Sequence, residues 1–169
     1  MEIISDIVMH KGRIESSLQR WACAAEHNYY CYAYNIESHE KPFVYFFEDE
    51  MMILAKQDTH TNKWYVFTDI LAPQEKKFDL FMQFLNHVYA LPVPPVKVVV
   101  EFPTILRKQV LEEFKKNSEY QANRINYSLA WPVFDLETWS GEKMEGKDWK
   151  DMSYYWNKYF REHNVEFVS

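Results

Sequence analysis

Histidine is the side chain best suited to metal ligation and to proton transfer near neutral pH, and the chain carries six: His10, His27, His39, His60, His87 and His163. Their spacing argues against a metal centre, because no two stand four apart around a glutamate and no HExxH-type pattern can be written. His87 falls near the end of a helical stretch, where a partial positive charge complements the helix C-terminus. Cys23 and Cys31 are not paired as C-x-x-C, so they read as two buried, inert thiols of a reducing compartment. A serine nucleophile would want a strained elbow such as G-x-S-x-G. The chain has only three glycines, Gly12, Gly141 and Gly146, and cannot supply one. The same scarcity excludes a G-x-G-x-x-G fingerprint and a Walker A loop, both of which cradle phosphate on glycine backbone.

Composition narrows the classes further. The chain has 169 residues, enough for one domain with a real core, and its 47% hydrophobic and 18% aromatic content is that of a globular protein rich in rings. A net charge of −6 without a Lys/Arg cluster argues against a nucleic-acid partner. Lys76-Lys77 and Lys115-Lys116 read as solvated helix faces. The first residues, Met-Glu-Ile-Ile-Ser-Asp, have neither a basic nor an apolar leader region, and no window reaches the length of a membrane span, so a cytoplasmic protein is expected.

These groups must be positioned by elements that the periodicity predicts. Ile14, Leu18, Trp21, Ala22 and Ala25 mark one face of a helix over 11–25. The run Tyr29 to Tyr34 reads as a second, short helix. Three strands follow, Phe43 to Phe47, Met51 to Ala55 and Lys63 to Thr68, separated by turns short enough to make antiparallel neighbours. Pro73 then opens a helix from Gln74 to Tyr89 with Phe78, Phe81, Met82, Leu85 and Val88 on one face. Leu91 to Pro95 stops it. Lys97 to Phe102 is so apolar that it predicts a central strand covered on both faces. Pro103-Thr104 begins a helix with Ile105, Leu106, Val110, Leu111 and Phe114 as its stripe, and Tyr120 to Phe134 predicts one or two closing strands. A last helix, 147–163, would carry Trp149, Met152, Trp156, Tyr159 and Phe160 on one side, a stripe that must be buried somewhere. The whole is an α+β layered fold, a mixed, mostly antiparallel sheet with helices on both faces.

This order resembles the GNAT-type N-acetyltransferase fold over residues 11–135. More narrowly, Val133-Phe134-Asp135-Leu136-Glu137, Gly146-Lys147 and Asn157-Lys158-Tyr159-Phe160 resemble the junction between the two halves of tandem acyltransferase-fold proteins related to the C-terminal domain of phosphatidylglycerol lysyltransferase. The resemblance implies a GNAT-like domain over 1–136, then a linker and aromatic helix over 137–169 that starts a second domain or mediates association, with Gly141 and Gly146 at the boundary. Asp151-Met152-Ser153 stands where those relatives carry basic residues.

The resemblance also implies where chemistry would sit. Relatives bind the pyrophosphate of acetyl-CoA on a glycine-rich loop between the fourth strand and the third helix. Here that place holds Asp69 to Lys76, with Ile70, Leu71, Gln74 and Lys76 at the would-be cofactor positions, no glycine, and Pro73 without an N–H. For acyl transfer, Glu101 at the end of the apolar strand and Tyr127 or Tyr120 after the following helix are the candidate base and donor. A structural role for Glu101, capping the helix at Pro103-Thr104, competes with that. The expectation is therefore a domain degenerate in acyl-CoA binding, with no resident cofactor, that acts by association with a second acyltransferase-like domain or another copy through 147–163. An active acyltransferase using acyl-CoA or aminoacyl-tRNA is the first alternative. A binding module with a pocket lined by Tyr29, Tyr30, Tyr32 and Tyr34 is the second.

Overall fold

A computed structural model describes residues 1–22, 27–117, 119–123, 154, 155 and 158. The chain divides into two compact units, Met1–Asn123 and Arg124–Ser169. Of the closing strands expected over Tyr120 to Phe134, the described start, 120–123, is not strand, and the remainder, with Tyr127, the motif pieces from Val133 to Phe160 and nearly all of the 147–163 segment, lies outside the described residues, as does Cys23.

The first unit is a five-stranded sheet in the order β1-β2-β3-β4-β5, formed by β1 (Glu2–Ile4), β2 (Glu40–Phe46), β3 (Met52–Asp58), β4 (Lys63–Val66) and β5 (Lys97–Val99). The first three pairings are antiparallel and the step from β4 to β5 is parallel. Helices α1 (Lys11–Trp21) and α2 (Tyr29–Tyr34) precede β2, α3 (Gln74–Tyr89) connects β4 to β5, and α4 (Thr104–Asn117) follows β5. The fold is thus the expected α+β layered architecture. β1 is an addition: three residues are too few to show a period, and only pairing with Val44–Phe46 makes them a strand.

Strand alternation sorts the side chains into two cores. Val44, Phe46, Met52 and Leu54 face α1 and α2, meeting Ile14, Leu18, Tyr29 and Tyr32. Tyr45, Ile53, Ala55, Trp64 and Val66 face the other way, onto Leu80, Phe81, Phe84, Leu85 and Val88 of α3 and Leu106 and Val110 of α4. Each fully buried Leu, Phe or Val is worth roughly 1.5–3 kcal/mol. The buried stripe of α3 is rotated from the expected one, leaving Phe78 and Met82 half-buried and turning Lys77 inward. On α4, Ile105 is exposed rather than part of the stripe.

Several boundaries differ for physical reasons. α1 ends at Trp21, not at Ala25. Residues 97–99 alone form β5. This strand is half-buried, not covered on both faces as its valines suggested, and it ends the sheet order of the described residues. α2 is amphipathic: Asn28 caps it through Cys31 N–H at 2.9 Å, Tyr29 and Tyr32 are buried, and Tyr30 and Tyr34 are exposed. Four tyrosines divided in this way do not line one pocket. Cys31 is a free thiol, half-buried rather than buried, and receives the Asn28 side-chain amide at 3.0 Å.

Tyr32 ties α2 to the sheet. Its hydroxyl donates to Ala55 O at 2.6 Å and accepts from Phe43 N–H at 3.2 Å, on either side of the Phe43–Ala55 pair. Burial pushes this phenol's pKa up, so it stays a donor. Tyr32→Phe strands a buried carbonyl and a half-buried N–H, and is expected to destabilise the chain by about 1–3 kcal/mol, read by urea unfolding. A loss within error would show that the ladder closes without the hydroxyl.

The β3–β4 turn has its own acid sensitivity. The Thr61 hydroxyl at 2.6 Å, with the N–H groups of Thr61 and His60, holds the Asp58 carboxyl down at about 2. A depressed carboxyl contributes stability that is present above its unfolded pKa of about 3.9 and is lost as pH falls towards 2. Asp58→Asn is therefore expected to flatten the acid limb of the stability–pH curve between about pH 4 and 2. An unchanged limb would refute the assignment.

Candidate functional site at the turn from β4 into α3

β4 and β5 run together for three pairs, Lys63 with Lys97, Trp64 with Val98 and Tyr65 with Val99. β4 then ends at Val66 and β5 at Val99. The carboxyl ends of a parallel pair are where such sheets take ligands. The turn from β4 into α3 leaves from that point.

The backbone of this turn is committed to the protein itself. Phe67 N–H donates to Leu54 O at 2.8 Å, and Leu71 and Met52 exchange both N–H···O bonds at 3.0 Å. Ile70 N–H donates to the Asp69 carboxylate at 2.7 Å and Ala72 N–H to Ile70 O at 3.1 Å. Pro73 has no N–H to offer. Ile70 and Leu71, at expected cofactor positions, are fully buried, whereas Gln74 and Lys76 are exposed on the first turn of α3. A phosphate needs free, convergent N–H groups. Residues 70–73 present none.

Electrostatically the turn is closed by an ion pair. Lys77, expected on a solvated face, is buried, and its ammonium donates to the second oxygen of Asp69, which is also buried. Sequence reading missed it because Lys76-Lys77 looks like an ordinary basic doublet. The signal was nonetheless present: residue 77 stands three, four, seven and eight positions before Leu80, Phe81, Phe84 and Leu85, on the inward stripe. Thr68, just before Asp69, has φ 57°, and its hydroxyl is buried with no hydrogen-bond partner among the described residues. A β-branched residue in that region is an outlier.

The candidate catalytic groups do not gather here. Glu101 is exposed in the connection from β5 to α4. Tyr120 is half-buried beside Tyr89 and Phe114, its hydroxyl donating to Asn86 Oδ1 at 2.8 Å. Burial, with the Glu119 charge behind it, pushes this phenol's pKa up. Asn86 lies twelve residues along α3 from Gln74, or about 18 Å at the helical rise. Tyr120 is thus anchored at the far end of α3 from the turn. His87, in the last turn of α3, packs edge-on against Tyr45 at 5.7 Å, a structural placement. Among the described residues no group of three or more His, Cys, Asp or Glu is placed to hold a metal, and no helix is long and apolar enough to cross a membrane.

In comparisons with known proteins, no family model, no curated protein and no solved structure matches the chain.

The ion pair makes a sharp energetic prediction. Lys77→Met leaves the Asp69 charge buried without a countercharge and is expected to cost about 3 kcal/mol. Adding Asp69→Leu should recover most of that loss, because an apolar pair of similar volume replaces a buried ion pair at little cost. Additive losses in a double-mutant cycle would refute the coupling.

Proposed function

We propose that the chain is an acyltransferase-fold domain of the GNAT type, degenerate in acyl-CoA binding, that works in the cytoplasm through domain or subunit association rather than by catalysis. Two features support the fold relation: the order strand, two helices, three antiparallel strands, helix, strand, helix, and the parallel step reached through α3. The observation that carries the degenerate reading is the state of residues 70–73, where three N–H groups are spent inside the chain and the fourth position is proline. The distance between Tyr120 and the turn speaks in the same direction. Association is favoured by the large apolar side chains left in solvent, Val8, Met9, Tyr30 and Tyr34 in the first unit and Tyr154 and Tyr155 in the second.

Acetyl-CoA at roughly millimolar concentration should leave the melting temperature of the full chain unchanged, since only a ligand of the native state raises it. A saturable rise would overturn the non-catalytic reading and restore the active acyltransferase. Light scattering on the same sample should give more than one chain's mass, and a strict monomer would remove self-association from the proposal.

A further inference from the structure

Spacing along the chain gives His39 and His60 nothing in common, but the β2–β3 ladder brings them together just beyond its last pair, Glu40 with Asp58. Their ring centroids lie 5.0 Å apart, with the planes 12° from parallel. The backbone that carries both rings is already fixed. His39 O accepts from Thr59 N–H at 3.0 Å and from the Thr59 hydroxyl at 2.7 Å, and His60 N–H donates to the Asp58 carboxylate at 2.8 Å. A second carboxylate stands behind one ring, with Glu37 Oε2 at 3.6 Å from His39 Nδ1. Asp58 itself is committed to the turn, accepting also from the N–H and hydroxyl of Thr61. Among the described residues, no hydrogen bond or ion pair engages His39 Nε2 or either ring nitrogen of His60, and His60 is exposed.

We propose that His39 and His60 form an open site for a divalent transition ion of the group that prefers imidazole: Cu²⁺, Ni²⁺ or Zn²⁺. Two imidazoles that share one ion through nitrogens about 2.0–2.1 Å from it, at a near-tetrahedral angle, hold their centroids roughly 5 Å apart. The observed separation is that one. A carboxylate beside His39 Nδ1 is the partner that orients a ligating imidazole and leaves its Nε2 for the ion. Two protein ligands are fewer than a structural centre uses, so water completes the coordination and the ion exchanges with solvent. Bound there, it fastens the residue that enters β2 to the β3–β4 turn, at the end of the ladder away from Arg13. Stacking of two neutral rings is the competing account, and it predicts no response to metal. The site does not depend on any relation to acyltransferases.

The test uses the full chain, untagged and stripped of metal with EDTA. Calorimetric titration with Zn²⁺ should show one equivalent bound, and Cu²⁺ loaded in its place should give an EPR spectrum split by two imidazole nitrogens. His39→Gln and His60→Gln should each weaken Zn²⁺ binding by about tenfold or more. The double variant, which keeps His10, His27, His87 and His163, should bind none at this level. Melting in EDTA checks that each variant is folded. An unmodified chain that takes up no Zn²⁺ overturns the proposal, as does binding that the folded double variant retains. The EPR spectrum is read on the unmodified chain, so fewer than two nitrogens on the Cu²⁺ overturns it even where a variant does not fold.

Discussion

The β2–β3 ladder is the constraint from which the rest of the first unit follows. Seven consecutive pairs, Glu40 with Asp58 through Phe46 with Met52, set which side chains reach which helix layer. Val44, Phe46, Met52 and Leu54 build one core and Tyr45, Ile53 and Ala55 the other. A slip of one residue in either strand would exchange the two sets, placing the residues that fit α1 and α2 against α3 and α4. Both helix layers therefore reinforce one register. Tyr32 pins it from the α2 side at the central Phe43–Ala55 pair, and Arg13 of α1 pins it at the Phe46–Met52 end by bonding Glu50 and Glu2 at 2.8 Å while lying over the Phe46 ring.

Scarcity of glycine gives the turns of this sheet their character. Among the described residues, four that are not glycine take positive φ: Asp49, Glu50, Asn62 and Thr68. At three of them neighbouring groups hold the conformation. Trp21 Nε1 donates to Asp49 O at 3.2 Å, and Arg13 and Ser17 hold the side chain and carbonyl of Glu50. Asn62 donates to Pro94 O at 2.8 Å and accepts Val96 N–H at 3.1 Å, fastening the β3–β4 turn to the segment that leads into β5. Thr68 has no such side-chain support, and it is also the β-branched member of the set. The strain of the fold is least compensated at the entrance to the candidate site.

That site shows how a fold can spend, within the chain, the backbone donors at a place where a ligand could sit. The parallel β4–β5 step and the start of α3 bring together the elements that such sheets use for ligands. The backbone donors there have gone to Met52, to Ile70 and to an internal carboxylate, and the first position of the helix is preceded by a proline. The scaffold and its chemistry are separable because pairing of β4 with β5 uses residues 63–66 and 97–99, whereas ligand contacts would use the next seven residues, which the sheet does not need.

The sequence by itself determined the layer class, the two helices flanking β5, the meander of β2 to β4 and the exclusion of glycine-cradled phosphate, because each rests on short-range periodicity or on residues that are absent. The α3 prediction matched to the residue, since Pro73 and Ala90-Leu91-Pro92 punctuate it on both sides. Only the tertiary structure decided that Glu2–Ile4 is a strand, that β5 lies at the end of the described sheet despite its valines, and that Lys77 points inward. Those outcomes depend on partners far away in the chain: Val44–Phe46 for β1, the crossover through α3 for β5, and Asp69 for Lys77. The periodicity of α3 could suggest that position 77 faces the core. Whether a charge can remain there is settled by what the sheet places opposite it, and a linear pattern does not contain that information.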